Sequence, residues 1–127
     1  MGQSIRIIVD GQEFSAALND SETAQAIVDS LPLDASGSRW GDEIYFSIPV
    51  DCPEADDARD EFDVGELGYW PPGNAFCIFY GPTPASRDGE PRMANPGNPI
   101  GRITEDATRL RDIGGSDVRI ELTDDHE

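Results

Sequence analysis

The chain opens with strict alternation. Ile5, Ile7 and Val9 are spaced two apart with Arg6 and Ile8 between them, and Asp10-Gly11 is a two-residue turn of the kind hairpins prefer. Phe14, Ala16 and Leu18 continue the alternation on the returning strand. The period then changes: Ala24, Ile27, Val28 and Leu31 fall on one face at helical spacing, with Asn19 as cap, Glu22 three residues on and Pro32 as terminator. This predicts a helix over about residues 20–31.

Period two returns after Leu33. Ile44, Phe46 and Ile48 point one way and Glu43, Tyr45 and Ser47 the other, with Pro49 closing the strand. The stretch from Asp51 to Glu61 has little to bury and reads as an exposed acidic loop; it lacks the spacing and central glycine of an EF-hand. Phe76-Cys77-Ile78-Phe79-Tyr80 is a continuous buried-strand run. Pro82, Pro84, Pro91, Pro96 and Pro99 mark residues 81–99 as loop. Ile100–Ile103 reads as a short strand, residues near 105–111 as a helical turn or two stopped by Gly114-Gly115, and Val118, Ile120 and Leu122 as a last alternating strand. Many short strands, one or two short helices and no linker predict one mostly-β barrel domain over residues 1–123, with 124–127 as an acidic tail.

Composition changes the picture in one respect. Asp and Glu number 26 against nine basic residues, all arginine, for a net charge of −17. Such a surface repels nucleic acid and anionic lipid, so neither is an expected partner. The acids are spread along the chain and lysine is absent, which reads as adaptation to a salt-rich cytoplasm. No apolar stretch approaches membrane-span length and no basic-then-apolar leader opens the sequence, so a soluble cytoplasmic protein is expected. Cys52 and Cys77 cannot make a disulfide framework, and the lone His126 sits at the end of the chain, so no metal and no cofactor are expected. Cys77, inside an apolar run, reads as an inert thiol.

Nine of the ten aromatic residues lie between Trp40 and Tyr80. Gly68-Tyr69-Trp70-Pro71-Pro72-Gly73 presents Tyr69 and Trp70 from a stiff frame, and Arg39-Trp40-Gly41 lies in the other aromatic segment. Arg39, Trp40, Tyr69 and Trp70 are therefore the expected ligand-binding residues, forming a groove for a peptide or small ligand. Asp42-Glu43 is discounted as a hydrolytic pair, because neighbours on a strand face opposite ways.

Three blocks, Arg39-Trp40-Gly41-Asp42-Glu43-Ile44-Tyr45-Phe46, Gly65-Glu66-Leu67-Gly68-Tyr69-Trp70-Pro71-Pro72-Gly73 and Cys77-Ile78-Phe79-Tyr80-Gly81-Pro82-Thr83-Pro84, resemble a family of small prokaryotic cyclophilin-like proteins of unknown function. Ile100-Gly101-Arg102-Ile103 fits its closing strand. The resemblance implies a cyclophilin-type barrel of about eight strands. It does not carry the peptidyl-prolyl isomerase site, since the catalytic arginine, glutamine, tryptophan and histidine segments of true cyclophilins cannot be laid on this chain; Met93-Ala94-Asn95 matches a cyclophilin stretch but falls out of order. Isomerisation still needs only an apolar seat for proline and a guanidinium to lower a barrier of about 18–20 kcal/mol. Arg39 and Arg102 are the candidates for that alternative function; binding without chemistry is the first reading.

The charge pattern yields the first testable expectation. Molar salt shortens the Debye length to about 3 Å and screens the repulsion among these carboxylates. Thermal melts should therefore show the midpoint rising as KCl or NaCl goes from low to molar concentration. A midpoint that stays level or falls would assign the acidity another cause.

Overall fold

In the computed structural model, which describes residues 3–123, ten strands join in antiparallel pairs. They are β1 (Gln3–Val9), β2 (Gln12–Leu18), β3 (Leu33–Ser36), β4 (Ser38–Arg39), β5 (Glu43–Ser47), β6 (Arg59–Glu61), β7 (Glu66–Trp70), β8 (Ala75–Phe79), β9 (Arg92–Ile103) and β10 (Asp117–Leu122). Their order is β3-β10-β1-β2-β9-β7-β8-β5-β4, with β6 added on β9. The two ends of that order, β3 and β4, are consecutive in the chain and separated only by Gly37. The sheet therefore curls round until its edges meet at one residue, giving the mostly-β barrel expected.

The first hairpin forms as the alternation predicts. Ile5 pairs with Ala16 and Ile7 with Phe14, and β10 continues the layer with Ile120 opposite Ile7 and Val118 opposite Val9. The turn is made by Asp10 and Gly11, both at positive φ (50° and 84°), as a tight hairpin matching strand twist requires. These side chains meet Ile44, Phe76, Ile78, Tyr69 and Leu110 in the barrel core. Helix α1 (Glu22–Ser30) packs Ala24 and Ile27 on that core. Its cap is Ser21, whose Oγ accepts from the Ala24 N–H at 3.1 Å. Asn19, the expected cap, instead accepts from the Ser21 N–H and hydroxyl and holds the capping residue. The second helical segment is a 3₁₀ helix at Ala107–Asp112 that buries Ala107 and Leu110. No helix among the described residues is long and apolar enough to cross a membrane.

Two expectations are corrected. Residues 81–99 are not all loop: β9 runs from Arg92 through Pro96 and Pro99 to Ile103. Pro99 sits where the β7–β9 register shifts, between Leu67↔Gly101 and Gly68↔Pro99, and Pro96 is exposed. A proline at an irregularity of the ladder has no hydrogen bond to forfeit, so it does not end the strand. Likewise the acidic stretch from Asp51 is loop only as far as Ala58, because Arg59–Glu61 pairs with β9. The first of these lengthens the strand expected at Ile100–Ile103, and the second adds β6; the described residues hold ten strands where about eight were expected. The tail 124–127, with His126, lies outside the described residues.

Closure rests on Gly37. Its N–H donates to Ser116 O at 2.8 Å and its carbonyl accepts from Ser116 Oγ at 2.8 Å. A β-carbon there would stand 2.8 Å from Ile44 Cγ2 and 3.0 Å from Ser116 O. Gly37→Ala should destabilise the protein by about 1–3 kcal/mol through overpacking. Gly114→Ala, which meets nothing within 4 Å, is the control that should leave the thermal midpoint in place. An unchanged midpoint for Gly37→Ala would show that the seam relaxes freely.

Candidate functional site

Strands β5 and β8 send alternate side chains to both faces of the barrel wall. Ile44, Phe46, Phe76 and Ile78 enter the inner core; Glu43, Tyr45, Ala75, Cys77 and Phe79 point outward. The outward set is covered in turn. Phe62, from the segment after β6, stacks on Phe79 with ring centroids 4.8 Å apart, and Met93 at the start of β9 packs beside Cys77. Met93 fits only because Gly68 and Gly97 beneath it carry no side chains. Between this second cluster and two loops lies a cavity of ≈ 280 Å³ lined by Trp40, Glu43, Tyr45, Trp70, Cys77, Met93 and Ala94.

Each wall is positioned by backbone contacts. Trp40 sits in the β4–β5 turn, where its N–H donates to Glu43 O and the Asp42 N–H donates to Pro82 O. Gly41, at φ 63°, has the Thr83 and Pro82 backbone so close that no β-carbon would fit. Trp70 ends β7 and leads into a 3₁₀ turn at Pro71–Gly73, with its ring lying over Gly73. The loop before Met93 is tied by Thr83 Oγ1 donating to Arg92 O at 2.5 Å. Glu90 accepts from the Arg87 and Asp88 N–H groups and from the Arg92 guanidinium, which hold its carboxyl down at about 2.

Glu43 is the chemically unusual member. It is only 4% exposed, and burial pushes its carboxyl up to about 7, with the Cys77 thiol beside it offsetting this slightly. No arginine neutralises it: Asp42, its neighbour in sequence, turns to Arg111 at 3.0 Å instead. The two carboxylates thus face different ways, as strand geometry requires. Burial and the adjacent Glu43 push the Cys77 thiol well above its ordinary value, which keeps it protonated and unreactive. Nε1 of Trp70 is buried without a hydrogen-bond partner, the one such side-chain atom found among the described residues. Among those residues no group of three or more His, Cys, Asp or Glu side chains converges on a metal position.

The expected site residues divide. Trp40 and Trp70 line the cavity. Tyr69 does not: it is fully buried in the barrel core, where its hydroxyl donates to Val50 O at 2.6 Å and accepts from the Cys52 N–H at 3.1 Å. Alternation along β7 sends Tyr69 inward where Trp70 goes outward. Arg39 does not reach the cavity either. Its guanidinium donates to Tyr80 Oη (2.7 Å), Leu110 O (3.3 Å), Ile113 O (2.9 Å) and Gly115 O (2.8 Å), tying the 3₁₀ helix and the segment after it to the barrel. Arg102 is exposed on β9, in a different surface depression beside Arg59 and Glu66. Glu43, Tyr45, Cys77, Met93 and Ala94 were not singled out as binding residues. The outward alternation of Glu43 and Tyr45 was the available signal; the cover supplied by Met93 was hidden by the prolines around it.

An antiparallel barrel with a lined cavity on its outer wall is the class of structure these elements define. The cyclophilin-like family model matches residues 3–121, and the chain belongs to that family. A hypothetical protein from Archaeoglobus fulgidus, known from its solution structure, is 34% identical and superimposes with a TM-score of 0.79 over 96% of this chain and 95% of its own. No curated protein matches the chain.

The buried carboxyl has a sign-determined consequence. A carboxyl raised from 4.5 to about 7 is protonated in both folded and unfolded chains at low pH. As pH rises the unfolded chain ionises first, so Glu43 costs stability progressively from about 4.5 to about 7 and by a constant amount above. Glu43→Gln should therefore gain on wild type by up to about 3 kcal/mol between about pH 4 and about pH 8. Chemical denaturation at the two pH values measures it; a gain independent of pH would place the Glu43 carboxyl in water.

Proposed function

We propose that the chain is a binding module whose ligand enters the cavity between Trp40, Tyr45 and Trp70 and meets Glu43. The observation that carries this reading is a glutamate 4% exposed in an aromatic, mostly apolar cavity, with the Cys77 thiol beside its carboxyl. A buried polar group without adequate partners costs about 1–3 kcal/mol, and a bound ligand would supply the missing contact. The indole N–H of Trp70, a residue of the same lining, is the one buried side-chain group without a hydrogen-bond partner among the described residues. The groove is thus aromatic and acidic, in place of the aromatic and arginine-lined groove expected from the sequence.

The alternative, a peptidyl-prolyl isomerase with a non-standard site, has less support. Arg39 is occupied by three carbonyls and a phenol, and no arginine lines the cavity. A twisted amide would find apolar walls there but no guanidinium.

Amide chemical shifts recorded during titration with a set of small soluble fragments test both readings. Binding shifts should concentrate on residues 40–45, 70–77 and 93–94. Shifts confined to other surfaces would overturn the assignment of the cavity. A proline-isomerisation assay on a short peptide at high salt should show no acceleration; acceleration abolished by Arg102→Ala would restore the isomerase.

A further inference from the structure

We propose that the cavity takes an alkylated ammonium group, set with its positive charge against the Glu43 carboxylate and its methyl groups against Trp40, Tyr45 and Trp70. The inference rests on the binding reading above and names the ligand chemistry of the same site.

Three features converge on that chemistry. The lining supplies one acidic side chain and no basic one, so an anion would be repelled and a cation left uncompensated by protein would be balanced. A single carboxyl among aromatic rings, Met93 and Ala94 offers too few oxygens for a hard metal ion, which wants six or more. A weakly hydrated organic cation suits such walls, because the negative faces of aromatic rings attract it, most strongly when it is desolvated. The ≈ 280 Å³ of the cavity lies just below the usual range of ligand pockets, about 300–1,000 Å³. That is room for a headgroup and not for a long peptide. The net charge of −17 favours approach of a cation.

The groups around Glu43 leave it free for this role. Cys77, facing it from β8, stays a neutral thiol. Tyr45 lies on its own strand, Asp42 is engaged by Arg111, and Arg92, where β9 begins, is engaged by Asp60, Glu61 and Glu90. The cation requires the ionised carboxylate, so its affinity rises with pH through about 7 and levels off above.

Choline chloride and its uncharged isostere 3,3-dimethylbutan-1-ol, titrated against tryptophan fluorescence at one fixed ionic strength, separate the outcomes. Choline should bind at least about tenfold more tightly than the alcohol, and more tightly at about pH 8 than at about pH 6. Glu43→Gln, confirmed folded by its melting transition, should lose that preference while still binding the alcohol. Equal affinity of choline and the alcohol, or choline binding independent of pH in wild type, overturns the cation assignment and leaves the cavity standing as a binding site. A response to neither compound, together with fragment shifts outside residues 40–45, 70–77 and 93–94, overturns both. Tighter binding of an N-acetyl-trimethyllysine amide than of choline would identify the headgroup as a peptide side chain, still within the proposal.

Discussion

Everything that distinguishes this barrel follows from covering both faces of β5 and β8. A strand carries side chains alternately to its two sides, so a wall strand in a simple barrel has one apolar and one wet row. Here the outer row of Glu43, Tyr45, Ala75, Cys77 and Phe79 is sealed by Phe62 and Met93, giving a second apolar cluster against the outside of the first. That second cluster is small and incomplete, and its incompleteness is the cavity. The loop from Gly81 to Pro91 is folded on itself through Thr83, Ser86 and Glu90, which fixes where β9 begins and so where Met93 lands. The site is therefore a property of the cover as much as of the barrel.

The arginines show how an acidic chain is held together. Arg6, Arg59, Arg92, Arg109, Arg111 and Arg119 each contact at least one carboxylate, often bridging two elements distant in sequence. Exposed pairs of this kind contribute little individually, about 0–1 kcal/mol. Arg39 is different in kind. A planar fork of donors satisfies three carbonyls that the 3₁₀ helix and the segment after it leave without strand partners, an arrangement lysine's single ammonium could not reproduce. An arginine beside aromatic residues in sequence looks the same whether it serves a ligand or loose backbone carbonyls.

That ambiguity sets the limit of what the sequence discloses. The hairpin at Asp10-Gly11, the helix ending at Pro32 and the two-sided strand around Ile44 were legible, because local spacing and turn chemistry alone decide them. Strand β9 was not, since Pro96 and Pro99 oppose strand propensity and only the register shift opposite Gly68 makes them tolerable. Trp40 and Trp70 were legible as candidates by residue type. Tyr69 fails by the same rule that places Trp70: adjacent residues on β7 face opposite sides, and the sequence does not say which side is the core. The alternation places Glu43 on the face opposite Ile44, and the cover of that face by Phe62 and Met93, distant in sequence, is not visible in local spacing.

Glu43 is also where the chain breaks a local rule. Of 26 acidic residues, most sit in water, where a carboxylate is cheapest and where salt adaptation would want it. Glu43 lines a cavity shared with Trp40, Tyr45 and Trp70, and burial pushes its carboxyl up to about 7. An apolar residue of similar size there would complete the outer cluster and remove a desolvation cost, so packing does not explain the side chain. Places where a sequence gives up local consistency are where a site is expected, since a group that is poorly solvated alone has the most to gain from a partner. The same deficit joins stability to binding: any ligand that compensates the carboxylate returns free energy to the folded chain in proportion to its affinity. On the proposed binding reading, the barrel is a rigid support for one poorly solvated carboxyl, and a ligand in the cavity would add to what holds the outer cluster closed.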